Sequence, residues 1–438
     1  GGFARRTTMS DRHDDDTGGN RNEHGSIVVR SDVAVVGAGL AGLVAARLLQ
    51  RSGLSVTLLD PQPPGGRGRT DERAGFLFNR GPHALYLGGH AARVLAGVGV
   101  RPQGGPPSVD GHGLIGDRMG ALPSGAGSLL RTSLLGWRGR LAAGRLLGGL
   151  AKVQTNDLGD MTFATWLDQQ RLPADARSLV EAVSRVASYT NAPDIAAADL
   201  VVSQVQLALG SGVRYVHGGW QSIVDSLLAG CRVHRLTATR VSADEGHVVV
   251  ETQEGATVVG TAAVIAAGTP GAAAQLLGRR PFDAGPPVEA ACLDLGTSRP
   301  SQPGLLLGID RPLYLSNHCP PARLAPAGRA VVHVARYLAP GERTEPGEQR
   351  HELEALAARA GLTADHIIED RYLHRMTVAG ALTLAESGGM RGRPTVTDSG
   401  VPGVFLAGDW VGPAGHLADA SLASAEAAVA AAVTLVGR

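Results

Sequence analysis

Three glycines near the N-terminus, Gly37, Gly39 and Gly42, have the spacing that lets a backbone wrap around a diphosphate. The first permits a tight turn, the second allows close approach of the phosphates, and the third lets a helix pack on the preceding strand. The diphosphate then lies at the positive N-terminus of that helix. Asp60 can accept hydrogen bonds from a ribose diol, and an acid here disfavours a 2′-phosphate. The pattern around these residues predicts a strand over 32–36, a helix over 43–49 and a strand over 55–59.

Two further glycine-rich segments bracket the rest of the chain. Near the N-terminus, Gly65-Gly66-Arg67-Gly68-Arg69-Thr70 precedes Gly81-Pro82-His83. Near the C-terminus, an apolar strand after Gly403 ends in Gly408-Asp409, and a loop then leads into an alanine-rich helix over 422–429. The Arg67 guanidinium is a planar fork that never loses its charge, which suits it to pairing with phosphate oxygens.

These segments, in this order, resemble the flavin amine oxidase and phytoene desaturase superfamily. The resemblance implies an α/β fold: a Rossmann-like FAD-binding domain (GR2-type), interleaved with a substrate domain and a helical cap. It covers about residues 32–86, 213–270 and 402–430. It implies that the cofactor is FAD, with Gly66 and Arg67 at the diphosphate and Gly81-Pro82 against the isoalloxazine ring.

The resemblance also implies contacts in the middle and at the end of the chain. Val241 is expected at the adenine end of FAD, and a strand over 262–267 is expected beside the adenosine. Backbone amides at Leu417 and Ala418 are expected near flavin O2, where the positive helix end stabilises the reduced ring. The full set of expected cofactor-binding residues is Gly37, Gly39, Leu40, Ala41, Gly42, Asp60, Pro61, Gly66, Arg67, Gly81, Pro82, His83, Val241, Ala267, Gly268, Gly408, Asp409, Leu417 and Ala418.

The predicted organisation alternates between two domains. We expect a disordered tail over 1–30, parts of the FAD domain over 31–87, 213–280 and 396–438, a helical cap over 88–212 and a second part of the substrate domain over 281–395. Residues 128–150 alternate leucine with arginine and glycine, a basic amphipathic pattern. It fits an ordinary cap helix, the rim of a substrate entrance or a membrane-surface patch.

Two candidate catalytic residues follow from the resemblance. His416 occupies the place where amine oxidases of the monoamine type put one tyrosine of an aromatic cage, and His83 follows Gly81-Pro82. A histidine there could stack on a substrate or accept a proton, since its ordinary pKa is near neutrality. The alternative for each is a histidine that hydrogen-bonds the backbone and shapes its loop.

The reaction is constrained by what the sequence lacks. Flavin amine oxidases place a lysine near flavin N5, but the only lysine here is Lys152, in the predicted cap. The 387–393 region has no cysteine for a covalent link, so FAD should be noncovalent, and no second glycine motif indicates an NADPH domain. We expect a dehydrogenase or desaturase that removes a hydride from a small apolar organic molecule, isoprenoid-like or a secondary metabolite, with a quinone or oxygen as acceptor. An amine or amino-acid oxidase and a non-catalytic FAD-binding relative are the alternatives.

The composition gives no sign of nucleic acid, a metal or an acidic molecule as a partner. The formal net charge is +1, which gives no sign of nucleic-acid binding. Cys231, Cys292 and Cys319 are widely spaced, so neither a metal site nor a disulfide framework is expected. The sequence shows no apolar run of transmembrane length and no signal peptide, which predicts a cytoplasmic, possibly membrane-associated protein. It does not indicate an oligomeric state.

Overall fold

The computed structural model describes residues 20–21 and 27–437. A parallel five-stranded sheet forms the centre of the nucleotide-binding half. Val33–Val36 and Ala262–Ile265 are buried along their whole length, as expected for strands covered on both faces. The spatial order of the strands is Val233–His234, Val56–Leu59, Val33–Val36, Ala262–Ile265 and Val404–Leu406.

One face of this sheet is covered by helices that share a single apolar core. The last of them, Ala418–Val436, is long and apolar enough to cross a membrane. Leu422, Ala425 and Ala428 are nevertheless buried against the sheet and the neighbouring helices, so core packing accounts for its apolar composition. The covering helices are Leu40–Arg51, His90–Gly97, Gln221–Leu228 and Ala418–Val436.

The opposite face carries the helix Pro270–Leu276 and a second five-stranded sheet. Its strand Ile27–Arg30 pairs in parallel with Thr257–Gly260, so the predicted disordered tail ends earlier than residue 30. The apolar triplet Ile27-Val28-Val29 favours the extended backbone, and the other residues of that predicted tail, apart from the strand Asn20–Arg21, lie outside the described residues. The strands follow in the order Asn20–Arg21, Ile27–Arg30, Thr257–Gly260, His247–Thr252 and Ala238–Asp244.

The second half of the molecule is built on a seven-stranded sheet. The helix Pro346–Arg359 packs on one face, and helices from residues 126–188 pack on the other. The order of the strands is Arg118–Ala121, Gly111–Ile115, Leu305–Gly308, Leu313–Cys319, Ala330–Leu338, Val288–Thr297 and Ile367–Ala379.

The segment predicted as a helical cap contains other elements as well. His90–Gly97 belongs to the nucleotide-binding core through Ala91, Val94 and Leu95, and the hairpin 111–121 extends the seven-stranded sheet. The helices that follow are Ala126–Arg131, Trp137–Leu150, Phe163–Gln169, Ala174–Ser188 and Ala198–Gly210. Short strands connect the two halves: Thr70–Arg73 with Phe76–Asn79, and Val213–Val216 between Leu85–Tyr86 and Gly104–Gly105.

Candidate cofactor and active site

The first glycine turn opens directly into a cavity. Gly37 has φ +102°, and a Cβ on it would lie 2.6 Å from the Ala266 carbonyl oxygen, whereas the space above Gly39 is open. The helix Leu40–Arg51 starts immediately afterwards with no side-chain cap and no acidic residue in its first turn. Its first N–H groups are therefore free to bind an anion that enters the turn.

Asp60 is held rigidly at the end of its strand. Its Oδ2 accepts the Ala38 N–H at 2.7 Å, and its Oδ1 accepts the Gln62 N–H at 2.8 Å. The carboxylate is thus fixed beside the glycine turn, with further lone pairs available to a diol.

The cavity has a volume of about 980 Å³ and extends from this turn to the start of the C-terminal helix. It is lined by all the predicted cofactor residues except Gly42, Gly81 and Val241. A Cβ on Gly42 would lie 1.8 Å from the Gly37 carbonyl oxygen, and one on Gly81 would lie 2.2 Å from Met376 Cε. These two glycines are needed for close packing behind the cavity wall.

Val241, predicted to lie at the adenine end of FAD, does not line the cavity. Its side chain is buried in the core beneath the second sheet, and Leu236, Thr237 and Ala238 line the cavity in its place. The strand Ala238–Asp244 has a register irregularity between Ala238 and Arg240, which the sequence pattern did not reveal.

Arg67 links the two ends of the chain. Its guanidinium lies 2.6 Å from Asp409 Oδ2 and also donates to the Val378 carbonyl at 3.0 Å. The same Asp409 oxygen accepts the Gly380 N–H at 3.1 Å. Asp409 Oδ1 is buried at the cavity and has no hydrogen-bond partner among the described residues. It therefore presents an acceptor for a hydroxyl or amide donor of a bound ligand.

The start of the C-terminal helix lies at the other end of the cavity. Leu417, the residue before the helix, has φ +53° and ψ −127°, a conformation that a leucine rarely adopts. Within residues 27–437, the N–H groups of Leu417 and Ala418 reach no acceptor, and both residues line the cavity. These two donors, the glycine turn and the Asp409 oxygen together fit a dinucleotide with an electron-rich ring at its far end.

Comparison with known proteins agrees with this geometry. Residues 35–97 match the family described as NAD(P)-binding Rossmann-like domain. Wild-type putrescine oxidase bound to putrescine superposes with a TM-score of 0.73 at 16% identity, covering 94% of this chain and 100% of that one. Cyclohexylamine oxidase from Brevibacterium oxydans gives 0.67 at 17% identity, covering 93% and 100%. A putative protoporphyrinogen oxidase from Exiguobacterium gives 0.65 at 16%, covering 93% and 99%.

The chain has the fold of these oxidases. The Rossmann-like α/β architecture expected from the resemblance to the flavin amine oxidase and phytoene desaturase superfamily is confirmed. The likeness extends over nine-tenths of the chain, far beyond the three segments on which the resemblance was based.

Both candidate histidines lie on the cavity wall of this oxidase-like fold. His416 is 2% exposed, and its Nε2 donates to the Ser188 carbonyl at 2.8 Å. Burial and the nearby Arg393 lower the pKa of His416 to about 4, so the ring is neutral at pH 7 with Nδ1 as its acceptor. His83 Nδ1 lies 3.0 Å from the Gly81 carbonyl oxygen, its ring meets Trp220 edge-on, and burial lowers its pKa to about 4. Each histidine combines a backbone hydrogen bond with a place at the cavity.

Sequence reasoning missed Asp419, in the first turn of the C-terminal helix. Its Oδ1 accepts the Ala91 N–H at 2.7 Å, while Oδ2 is buried without a partner among the described residues. Burial raises the pKa of this carboxyl to about 6. The only signal in the sequence was an acid two residues after Leu417, and its burial depends on a helix more than 300 residues away along the chain.

A buried cluster of Cys292, Asp294 and His333 was also missed, and its possible ligand atoms lie within 4.8 Å of one another. Arg371 donates to Asp294 Oδ2 through Nε at 2.9 Å, and the Cys292 thiol donates to Oδ1 at 3.0 Å. A guanidinium inside the cluster opposes a second cation, so the cluster is a hydrogen-bonded ion pair and gives no support to a metal site.

Proposed function

We propose that this protein is an FAD-dependent dehydrogenase or desaturase that removes a hydride from a small apolar organic molecule. The observation that carries the proposal is the single continuous cavity between the Gly37–Gly42 turn and the helix that starts at Ala418. It offers an anion site at one end and, at the other, two amides that have no acceptor among the described residues. FAD bound there would supply the hydride acceptor.

The residues of this chain would hold that cofactor and keep its ring in place. The open space above Gly39 admits the diphosphate, and Asp60 takes the ribose hydroxyls. Arg67 and Asp409 stand between the two ends of the cavity, and the Leu417 and Ala418 amides offer hydrogen bonds to a ring carbonyl. Preorganised donors of this kind act without reorganisation at the moment of reaction.

The side chains at the ring end favour an apolar substrate. Tyr189, Leu417, Met376 and Val378 line this part of the cavity together with the neutral His416. The acids that line the cavity nearby are paired, since Asp409 binds Arg67 and Asp71 binds Arg371. The carboxyl of Asp419 has its pKa raised to about 6 by burial. Apart from Asp419, which has no ionic partner among the described residues, these acids would offer an ammonium ion little compensation for the water it loses on entry.

An amine oxidase is the second candidate because putrescine oxidase and cyclohexylamine oxidase share the fold. The position of Lys152 argues against the usual oxidase arrangement, since it follows the exposed end of the helix Trp137–Leu150 and does not line the cavity. Without a fixed lysine near the ring, we expect slow reoxidation by oxygen and faster reoxidation by a quinone.

The test begins with purified protein, which should be yellow and should release intact FAD on acid precipitation. Anaerobic mixing with a small apolar isoprenoid should bleach the flavin band, while putrescine and cyclohexylamine should leave it unchanged. Bleaching by an amine alone would replace this proposal with the second candidate. Reoxidation rates with a quinone and with oxygen then identify the acceptor.

The role of His416 is tested by His416→Ala and His416→Phe proteins that retain FAD. Reduction lost in the alanine variant and restored in the phenylalanine variant would indicate packing against the substrate. Loss in both would indicate hydrogen bonding or proton transfer, and normal rates in both would remove His416 from the mechanism.

A further inference from the structure

An exposed surface on the helices Ala126–Arg131 and Trp137–Leu150 combines large apolar side chains with arginines. Leu130, Trp137 and Leu141 are 66%, 67% and 63% exposed. Monomeric proteins rarely expose several such side chains together unless the surface has a partner. We call this surface the Trp137 patch; it comprises Leu130, Arg131, Trp137, Arg138, Leu141 and Arg145.

The opposite side of the same helices is already used for packing. Leu129 and Ala143 are buried against the seven-stranded half of the molecule, and Leu150 is buried against the neighbouring helices. The exposed tryptophan and leucines are therefore additional to the apolar face that holds the helices in place. An ordinary cap helix packed on the body was one interpretation of the amphipathic sequence pattern. Such packing accounts for only one face of the helix Trp137–Leu150.

The charges of the patch are all of one sign. Residues 118–156 contain six basic residues and no acid, in a chain whose net charge is +1. Arg131, Arg138 and Arg145 are exposed and form no ion pair within residues 27–437. Arg138 lies over the Trp137 ring at 5.2 Å, which keeps its charge beside the apolar surface.

We propose that the Trp137 patch docks the protein on the surface of an anionic phospholipid bilayer. Tryptophan and leucine suit the interface between headgroups and acyl chains, and arginines around them suit anionic headgroups. The helix Trp137–Leu150 is too short to span a bilayer, so it would lie in the interfacial plane. A second copy of the chain fits poorly, because two such patches would bring like charges together.

The fluorescence of Trp137 can be used to measure binding of the patch to vesicles. Trp166, Trp220 and Trp410 are at most 4% exposed, so Trp137 is the exposed member of the four tryptophans. Vesicles of equal parts phosphatidylglycerol and phosphatidylcholine should bind the FAD-loaded protein, shift the Trp137 emission to the blue, and expose it to quenching by brominated lipid. Vesicles of phosphatidylcholine alone should bind far more weakly, and salt should weaken binding to the anionic vesicles.

Matched variants distinguish binding through the Trp137 patch from a general effect of positive charge on the protein surface. The triple change Arg131→Gln, Arg138→Gln and Arg145→Gln should weaken partitioning on the order of 100-fold, since each arginine near an anionic surface contributes roughly fivefold. Arg101→Gln, Arg232→Gln and Arg280→Gln remove three exposed arginines elsewhere and should leave binding nearly unchanged. Leu141→Ser should weaken binding, whereas Leu209→Ser, at a leucine 56% exposed on another helix, should not.

Equal losses in the two arginine triples would overturn the proposal, as would absence of binding to anionic vesicles at low salt. A dimer that dissociates in Leu141→Ser, combined with no vesicle binding, would assign the patch to self-association instead. Retained FAD absorbance in every variant shows that the fold is intact. None of these outcomes depends on the identity of the substrate.

Discussion

Two helices begin at the cavity, and the N-terminus of each carries the same partial positive charge. The residues around the two N-termini differ. Leu40–Arg51 starts after glycines and has no acid in its first turn. Ala418–Val436 starts after a strained leucine and carries the buried Asp419 in its first turn. The first start is open and unstrained at its cap, and its first turn contains no acid. The second is held in an unfavourable backbone conformation beside an acid.

The difference between the two helix starts corresponds to the different charges of a diphosphate and a flavin ring. A diphosphate is always anionic, so the first helix needs only free amides and space. A flavin ring is neutral when oxidised, and a carboxylate beside its site would oppose added negative charge unless it were protonated. Because burial raises the pKa of Asp419 to about 6, protonation of this group is easier than for an ordinary acid. If FAD binds as proposed, the first helix start would bind the diphosphate and the second would influence the charge of the ring.

The largest effect is expected at the first helix. Gly42→Ala places a Cβ 1.8 Å from the Gly37 carbonyl oxygen, which forces the helix away from the turn. We expect a loss of about 3 kcal/mol in the free energy of unfolding and no detectable FAD binding. Gly97→Ala is the control, because it is also helical and its Cβ would meet nothing within 4 Å. Normal FAD binding by Gly42→Ala would mean that this close packing is not needed for the site.

The difference between the two helix starts also shows which parts of the site could be predicted from the sequence. The turn from Gly37 to Asp60 is a local pattern, so its strand, helix and acid were all predicted from spacing. The burial of Asp419 and the pairing of Arg67 with Asp409 arise from contacts between distant segments, which no local pattern reveals. Leu236, Thr237 and Ala238 line the cavity and Val241 does not, and the register irregularity in this strand is a detail that the sequence pattern does not show.

A substitution at Arg67 tests the ion pair with Asp409, which links the N-terminal and C-terminal segments of the chain. Arg67→Gln leaves the Asp409 side chain, which is 2% exposed, without its ionic partner. We expect a loss of about 2–3 kcal/mol in stability and weaker FAD binding, since an unpaired buried carboxylate is costly. Arg69→Gln is the matched control, because Arg69 lies 3.7 Å from Asp71 and this partly exposed pair should contribute less than about 0.5 kcal/mol. Equal losses in both variants would count against a special role for the Arg67–Asp409 pair.

Asp419 predicts a pH dependence in the protein without FAD. The pKa of its carboxyl is about 6 in the folded chain and about 3.9 when unfolded. The folded state therefore holds the proton more tightly, and stability falls as pH rises from about 4 to about 6. Asp419→Asn, neutral at every pH, should match the wild type near pH 4 and exceed it by about 2 kcal/mol at pH 7. Chemical denaturation across this range measures the difference, and Asp244→Asn, at an exposed acid, should show none of it. A constant difference between wild type and Asp419→Asn would contradict the raised pKa.

The smallest effect concerns the strained cap itself. At most helical or extended positions, glycine is less stable than alanine by about 1 kcal/mol because it loses more backbone freedom on folding. At Leu417, with φ +53°, the order should reverse, since glycine adopts this conformation without strain. We therefore expect Leu417→Gly to be more stable than Leu417→Ala by about 1 kcal/mol, while both lose the same side-chain contacts. Leu48, half-buried within the helix Leu40–Arg51, provides the reference pair, in which Leu48→Ala should be the more stable. If the alanine variant is the more stable at both positions, the strain at Leu417 is not stored in the folded protein. If the order reverses only at Leu417 and FAD binds more weakly to Leu417→Gly, the strained leucine holds the amides in the direction that the ring requires.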